Sequence, residues 1–235
     1  MDSLSHNLVG QRLGRKGRDT RERILAATER LLAGPPDTAI SLSSVAREAS
    51  LAMTTLYIYF NDLTELLLAV LEPVLAQAED AYIAHLRMPW PDGSLREHCL
   101  SFVETYREFW VRHSRILHLR NSLADGMDAR MRQHRIHASW PLIELLVKQM
   151  EADPAEISSP ASAMATVLLT SVERVITMTT DAWVLQSQVE YPTIRTRRLV
   201  EAEARLLELG IGEGREASRS EAGVSPAGGQ DARAT

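Results

Sequence analysis

Cysteine is almost absent from the 235-residue sequence, which contains only Cys99. A single cysteine excludes an intrachain disulfide and any zinc site built from several cysteines, and it fits a reducing compartment. Long apolar runs are also missing: none approaches the roughly 20 residues that cross a bilayer. The N-terminal residues lack an apolar core followed by a cleavage site. The sequence therefore predicts a cytoplasmic protein that has no membrane partner and whose cysteine is a small buried hydrophobic residue.

An excess of positive charge is missing too, since 26 Lys and Arg face 31 Asp and Glu, for a net charge of −5. The total charge therefore gives no indication of a nucleic-acid partner, and only local clustering can do so. One basic cluster runs from Arg12 to Arg23, where Asp19 and Glu22 are the only acidic residues. Such a run is either a solvated tail or an arm that follows a nucleic-acid backbone.

Motifs of catalysis and metal binding are absent as well. The sequence has no nucleophile elbow, no HExxH motif and no paired-carboxylate site. The run from Gly210 to Gly214 resembles a phosphate loop, but it follows a helical pattern instead of a strand. His134 and His137 are three residues apart on a predicted helix, yet no carboxylate or cysteine completes a metal-ligand set. We therefore expect no enzyme activity, no metal and no cofactor.

Only one stretch of the sequence resembles a strand, and its surroundings contradict that interpretation. MTTLYIYF, residues 53–60, contains residue types that favour strands. Helical patterns lie on both sides of it, with N-cap signals at Ser41 and at Asp62, the latter with Glu65 three residues later. A lone strand would leave its backbone groups unpaired. We therefore predict that residues 53–60 form a short helix in an all-α fold.

A helix from Thr20, a short helix from Leu42, a brief break and the helix at residues 53–60 follow the order of a helix-turn-helix. The runs TRERILAATERLL and ISLSSVAREASLAMTTLYIYFNDLTELLLAVLE resemble, from Thr20 to Glu72, the DNA-binding domain of the TetR family of bacterial transcriptional regulators. The resemblance rests on contiguous positions, namely Ala46, Ala49, Thr55, Leu56, Tyr57, Tyr59, Phe60, Leu66 and Leu67. Beyond Leu75 it concerns only the order of helices.

The resemblance implies an N-terminal three-helix DNA-binding domain and a larger helical ligand-binding and dimerisation domain. The expected division is a flexible basic arm (1–19), a helix-turn-helix domain (20–72), a ligand-binding and dimerisation domain (73–210) and a disordered tail (211–235). The implied function is a homodimeric regulator, expected to be a repressor, that binds a palindromic double-stranded DNA operator. A small, mostly apolar effector would release it. The alternative is a dimeric ligand-binding or adaptor protein that has lost sequence-specific DNA binding.

Departures from the family pattern support that alternative. Ser50 stands where the family usually has glycine in the turn, and Ala52 where a serine cap is common. Met53 and Leu63 occupy positions that often hold lysine, so the DNA-facing surface is unusually neutral. By position, the residues expected to contact DNA are Arg15, Lys16, Arg18, Ser43, Ser44, Met53, Thr54, Thr55, Tyr57 and Tyr59.

Two further sites are expected in the larger domain. An aromatic helix face and parts of the next two helices could line an effector pocket, or they could form a plain core, since both have the same periodicity. The candidate pocket residues are Phe102, Tyr106, Phe109, Trp110, His113, Asn121, Met131, His137 and Trp140. The last two predicted helices resemble those that build the family's dimers, and the candidate interface residues are Met164, Val167, Leu168, Val172, Val175, Leu199 and Leu206.

Overall fold

The computed structural model describes residues 14–35, 37–181 and 190–223. Within these ranges the chain is helical and contains no strand, which confirms the predicted all-α fold. A π-helical turn (Glu79–Ile83) and a 3-10 turn (Asp92–Ser94) join some of the helices. The helices are α1 (Arg15–Ala33), α2 (Leu42–Glu48), α3 (Met53–Leu56), α4 (Leu63–Ala76), α5 (Ala84–Arg87), α6 (Leu95–Arg112), α7 (Ser114–Asp125), α8 (Ala129–Gln149), α9 (Pro160–Thr179) and α10 (Glu190–Gly223).

The chain divides into two compact units. Of the described residues, the first unit contains 14–35, 37–81, 108–138 and 179–181, and the second contains 82–107, 139–178 and 190–223. This division differs from the expected boundary between residues 72 and 73, because residues 108–138 group with the helix-turn-helix. Hydrogen bonds within the first unit account for the grouping and are given with the site below.

The N-cap signals read from the sequence are confirmed. The Ser41 side chain accepts a hydrogen bond from the backbone of Ser44 at the start of α2. At the start of α4, the Asp62 carboxylate accepts one from the backbone of Glu65, and the Glu65 carboxylate accepts one from the backbone of Asn61. These side chains satisfy backbone donors that a helix start leaves without a partner. The local sequence therefore sets where these two helices begin.

The expected arm at residues 1–19 needs correction at its C-terminal end. Helix α1 begins at Arg15, and its first turns include Lys16 and Arg18. The Thr20 hydroxyl donates to the carbonyl oxygen of Lys16, which is an ordinary contact inside a helix. Residues 1–13 of the predicted arm lie outside the described residues. The basic residues 15–18 are therefore carried on a helix, which fixes their spacing.

The expected tail at residues 211–235 also needs correction, because α10 continues to Gly223. Two of the glycines near the expected boundary, Gly210 and Gly214, mark close helix packing in the second unit. A Cβ on Gly210 would lie 2.7 Å from Leu168 Cδ1, and one on Gly214 would lie 2.7 Å from Met150 Cγ. Glycine thus lets α10 approach these side chains closely. The rest of the predicted tail, residues 224–235, lies outside the described part of the chain.

Residues beyond Gly210 are part of the second unit's interior. The guanidinium of Arg215 is buried and donates to the carbonyl oxygens of Gln149 at 2.7 Å and Trp90 at 2.8 Å. It also pairs with Asp92 at 2.6 Å. Cys99 is fully buried in this unit, as predicted, and burial raises the pKa of its thiol to about 12. This thiol is therefore protonated at neutral pH.

Among the described residues, α9 is the one helix that is both long and apolar enough to be a candidate membrane span. Its mean hydropathy is 1.2, so by length and composition alone it could cross a bilayer. This is weak evidence, because the core helices of soluble proteins have the same composition. Glu173 and Arg174 also interrupt its apolar residues, as the sequence shows.

Candidate nucleic-acid interface

A small hydrophobic core holds α1 to α4 together. Its members are Ile24 of α1, Val45 and Ala46 of α2, Leu56 of α3, Phe60 and Leu66. The guanidinium of Arg21 covers the Phe60 ring, 5.4 Å from its centroid. Burial lowers the pKa of Arg21, but Glu72 and Glu65 oppose this shift and the side chain stays charged. The inward positions of residues 53–60 therefore pack as expected, with Leu56 and Phe60 in the core.

The turn between α2 and α3 has the hydrogen bonds of a Schellman motif. The Leu51 amide donates to the carbonyl of Ala46 at 2.9 Å, and the Ser50 amide to that of Arg47 at 3.1 Å. Ser50 itself has a left-handed backbone, with φ of 53°. This conformation favours glycine and costs another residue roughly 1 kcal/mol. Ser50 therefore adopts the left-handed conformation that glycine favours at this position.

The outward side of residues 53–60 is formed by Thr54, Tyr57 and Ile58. Tyr57 is 50% exposed and Ile58 is 48% exposed, and Thr54 also faces solvent. Residues 53–56 form one helical turn, and the amide of Tyr57 continues it by donating to Met53. The predicted helix is thus confirmed but shorter than expected. Ile58 was missed as a candidate, although it lies four residues after Thr54 and so shares its side of the helical turn.

Other predicted DNA contacts are less exposed. Met53 and Tyr59 are partly buried against the core, and Thr55 is half-buried. The Ser44 hydroxyl is used inside the protein, since it accepts from the Ser41 amide and lies 3.1 Å from the carbonyl of Ala39. Its role as a phosphate contact therefore conflicts with its role in the cap of α2.

Several predicted polar and basic contacts remain accessible. Ser43 is exposed on α2, and Arg15, Lys16 and Arg18 are exposed on the first turns of α1. All four belong to the first unit, together with the outward side of α3. Together with Thr54, Tyr57 and Ile58, these four residues supply three cations, two hydroxyls from serine and threonine, a phenol and a branched aliphatic chain.

Helices α7 and α8 are attached to the helix-turn-helix by specific hydrogen bonds. From α7, the Arg115 guanidinium donates to the carbonyl oxygens of Leu31 at 2.6 Å and Gly34 at 3.1 Å, and also to that of Thr38. These carbonyls lie at or just beyond the end of α1, where a helix leaves carbonyls without helical partners, although that of Leu31 also accepts from the Gly34 amide. Arg115 thus caps α1 from a distant part of the sequence.

The start of α8 is joined to the start of α4. Thr64 donates to Asp128, whose other oxygen accepts from the Met131 amide, and Arg130 pairs with Asp62 at 2.9 Å. Each aspartate caps its own helix and also binds a group on the other. Hydrogen bonds, first from the Thr64 hydroxyl and then from the Met131 amide, lower the pKa of Asp128.

Most of the predicted effector residues pack as core side chains. In the second unit, Phe102 and Tyr106 are buried beside Tyr82, whose ring meets that of Tyr106 at 4.8 Å. Trp140 is partly exposed and donates to Glu144. In the first unit, Phe109, Trp110 and Met131 are buried, Asn121 accepts from Arg120, and His137 is exposed. Of the nine residues, only His113 lines the described cavity, which is treated below.

The predicted dimer residues divide into two groups. Leu168 and Val172 are buried inside the protomer, so they cannot meet a partner. Val167 is 63% exposed and Leu206 is 45% exposed. Met164, Val175 and Leu199 are half-buried. The helical period explains the split, because Leu168 and Val172 are four residues apart on the inward face of α9.

The geometry of α2, the turn and α3 defines a helix-turn-helix, the class of motif that places a short helix against a nucleic-acid groove. The chain is similar to a solved TetR family transcriptional regulator from Chloroflexus aurantiacus J-10-FL. The identity is 18%, the TM-score is 0.41, and the similarity covers 87% of this chain and 94% of that one. No protein-family model matches the sequence, and no curated protein matches it.

Proposed function

We propose that the protein is a homodimeric transcriptional regulator of the TetR type, which binds a palindromic DNA operator and represses transcription in its effector-free form. The observation that carries this proposal is the outward side of residues 53–60. Thr54, Tyr57 and Ile58 are exposed there, while Leu56 and Phe60 hold the same segment on its core. Exposed apolar and phenolic groups on a rigid, capped helix-turn-helix fit a buried contact with DNA.

The chemistry of this surface suggests how it reads sequence. Thr54, Tyr57 and Ile58 have no side chain that can form two parallel hydrogen bonds to guanine or adenine. The methyl groups of Thr54 and Ile58 can pack on thymine methyls, and the Tyr57 hydroxyl can bind a phosphate. We therefore expect operator half-sites in which thymine occupies the contacted positions.

Phosphate contacts would come mainly from α1. Arg15, Lys16 and Arg18 are exposed on its first turns, whereas Met53 and Leu63 supply no charge near α3 and the start of α4. Each neutralised phosphate contributes about 0.9 to the slope of log affinity against log salt concentration. With few such contacts, the salt dependence of operator binding should be shallow.

The dimer would form through the outward faces of α9 and α10. Val167 and Met178 of α9 and Leu206 and Leu209 of α10 are large apolar side chains that remain exposed in the protomer. Exposed apolar groups of this size on adjoining helices mark an interaction surface. A two-fold symmetric dimer is the commonest oligomer, and it matches a palindromic operator.

Release from DNA would follow from binding a small, mostly apolar effector in a bacterial cytoplasm. A ligand shifts the protein away from its DNA-binding state only if it binds the released state more tightly. The competing function is a dimeric ligand-binding or adaptor protein without operator affinity. The neutral Met53 and Leu63 favour that alternative.

The deciding experiment is selection of bound duplexes from a random pool by the full chain, read by sequencing. We expect an enriched palindrome. Tyr57→Phe and Arg15→Ala should weaken operator binding, whereas Arg96→Gln, an exposed change in the second unit, should not. A folded dimer that enriches no sequence would support the adaptor function. Unchanged affinity in both test variants would contradict the assigned contacts.

A further inference from the structure

A cleft of about 280 Å³ lies in the first unit, outside the predicted effector residues except for His113. The C-terminal part of α1, the C-terminal half of α4 and the junction of α6 with α7 form its walls. Val70 and Ile116 are buried and form an apolar floor, and Val74 is half-buried beside them. Polar side chains complete the lining, namely Glu29, Gln77, Arg112, His113 and Arg115.

Two of the polar groups lack partners in the part of the chain that the structure describes. The Nε2 atom of His113 is buried and has no hydrogen-bond partner. The exposed guanidinium of Arg112 forms no ion pair or hydrogen bond with any described residue. Arg115 differs, because the carbonyl oxygens at the end of α1 occupy its guanidinium.

The neutral form of His113 is favoured at neutral pH. Burial lowers the pKa of His113, and the nearby positive charge of Arg112 lowers it further. A neutral imidazole can either donate or accept one hydrogen bond at Nε2. The His113 ring therefore adds no positive charge to the cleft, and Arg112 is the lining cation whose hydrogen-bond donors are not used within the described part of the protein.

We propose that this cleft binds a small organic monocarboxylate with an apolar body. The carboxylate would take a charge-assisted hydrogen bond from Arg112 beside the neutral His113 ring, and the hydrocarbon part would cover Val70, Val74 and Ile116. Glu29 lies on the same lining and repels any anion in proportion to its charge, so phosphates and dicarboxylates are disfavoured more than a monocarboxylate.

The volume sets the size of the ligand. At about 30 Å³ for each water, the cleft corresponds to roughly nine water molecules. A body of about nine non-hydrogen atoms, such as that of benzoate, matches this volume. Larger ligands would have to extend past the exposed Arg112 and Gln77 into solvent.

Ligand binding in this cleft would change the affinity for DNA. This regulatory effect rests on the proposed function, whereas ligand binding itself does not. Helices α1 and α4 belong to the helix-turn-helix core, through Ile24 and Leu66, and both also contribute to the cleft. A carboxylate ligand that contacts α1, α4 and the junction of α6 with α7 therefore favours one arrangement of α7 relative to the helix-turn-helix core. A ligand with such a preference changes operator affinity.

The test uses the full chain with benzoate and with its neutral counterpart benzamide, by isothermal titration calorimetry. We expect benzoate to bind at least about tenfold more tightly than benzamide, because the neutral amide lacks the negative charge that pairs with Arg112. Arg112→Gln should lower benzoate affinity about tenfold and leave benzamide unchanged. Ala33→Trp, which fills the cleft from its exposed edge, should abolish binding of both.

Arg96→Gln serves as the matched control, since it removes an exposed arginine from the second unit. Equal affinities for the two probes, or full benzoate affinity in the Arg112 variant with an unchanged unfolding midpoint, would overturn the proposal. Operator binding is measured separately with and without benzoate. Arginine-dependent benzoate binding in a chain that selects no operator would refute the proposed function and leave the binding site standing.

Discussion

The hydroxyl of Thr64 donates a 2.6 Å hydrogen bond to Asp128 Oδ2, and this bond joins the first turn of α4 to the first turn of α8. The two residues are 64 positions apart in the sequence. Asp128 also caps α8 through the amide of Met131, so one carboxylate organises two helix starts. The bond brings a helix from beyond the predicted DNA-binding domain into direct contact with it.

Replacing Thr64 by valine should destabilise the protein by about 1 kcal/mol, because it removes a hydrogen bond to a charged acceptor at constant shape. Thr64 is buried, but the Asp128 side chain is 22% exposed, so water can replace part of the lost hydrogen bond and the loss stays small. Urea unfolding at neutral pH would measure the loss. Thr20→Val, which removes an exposed hydroxyl bonded within α1, should change the midpoint much less.

The same contact predicts a pH dependence. The pKa of Asp128 is lower in the folded state than the roughly 3.9 of an unfolded aspartate, chiefly because of the Thr64 hydroxyl. Its contribution to stability is therefore complete above that value and is lost as the pH falls through the folded pKa. The difference between wild type and Thr64→Val should shrink in acid. A difference that stays constant down to pH 2 would contradict this account.

Ser50→Gly should stabilise the helix-turn-helix by about 1 kcal/mol, since glycine adopts the left-handed backbone of this turn without strain. The Schellman hydrogen bonds around it involve only backbone atoms and remain available. Chemical denaturation would show a higher midpoint. Ser43→Gly, at an exposed helical position of α2, should instead lower the free energy of unfolding by about 0.5 kcal/mol.

Gly214→Ala and Gly212→Ala should change stability in opposite directions. A Cβ on Gly214 would come within 2.8 Å of Met150 Cβ, which cannot move without shifting the backbone, whereas one on Gly212 meets nothing within 4 Å. Alanine at position 212 should therefore stabilise α10 by about 0.5–1 kcal/mol. Thermal unfolding of both variants tests this, and equal effects would refute the close approach at Gly214.

Deleting residues 211–235 should destabilise the second unit by about 3 kcal/mol or more, because the carbonyls of Gln149 and Trp90 lose the buried Arg215 donor. A chain ending at Gly223 retains these contacts and is the matched control. Calorimetry should show a lower unfolding temperature only for the shorter chain. Equal unfolding temperatures for the two shortened chains would show that residues 211–223 do not stabilise the protein.

Leu63→Lys should strengthen operator binding and steepen its salt dependence by about 0.9 in log–log slope, since it adds one phosphate contact at the start of α4. Leu63 is half-exposed, so a lysine can reach solvent from there. Binding to the selected operator across salt concentrations gives the slope. The control is Arg96→Lys, at an exposed position of α6, which keeps the charge constant and should leave the slope unchanged.

The sequence was most informative where local chemistry decides structure. Ser41 and Asp62 cap their helices as read, because the capping partners lie within three residues. It failed where a distant element decides. Leu168 was expected at the dimer interface but packs inside the protomer. Ser44 is a different case, because the local α2 cap, which a serine can also form, uses the hydroxyl that was expected to contact phosphate.

The sequence alone determined the helical class, the helix-turn-helix order and the inward positions of Leu56 and Phe60, because periodicity and capping are local properties. Only the tertiary structure decided that α10 runs past Gly210, that Arg115 caps α1, and that Arg112 and His113 line one cleft. These outcomes depend on which side chains meet across a long stretch of sequence. Helical periodicity shows that a residue faces inward, but it does not show which residue it will touch.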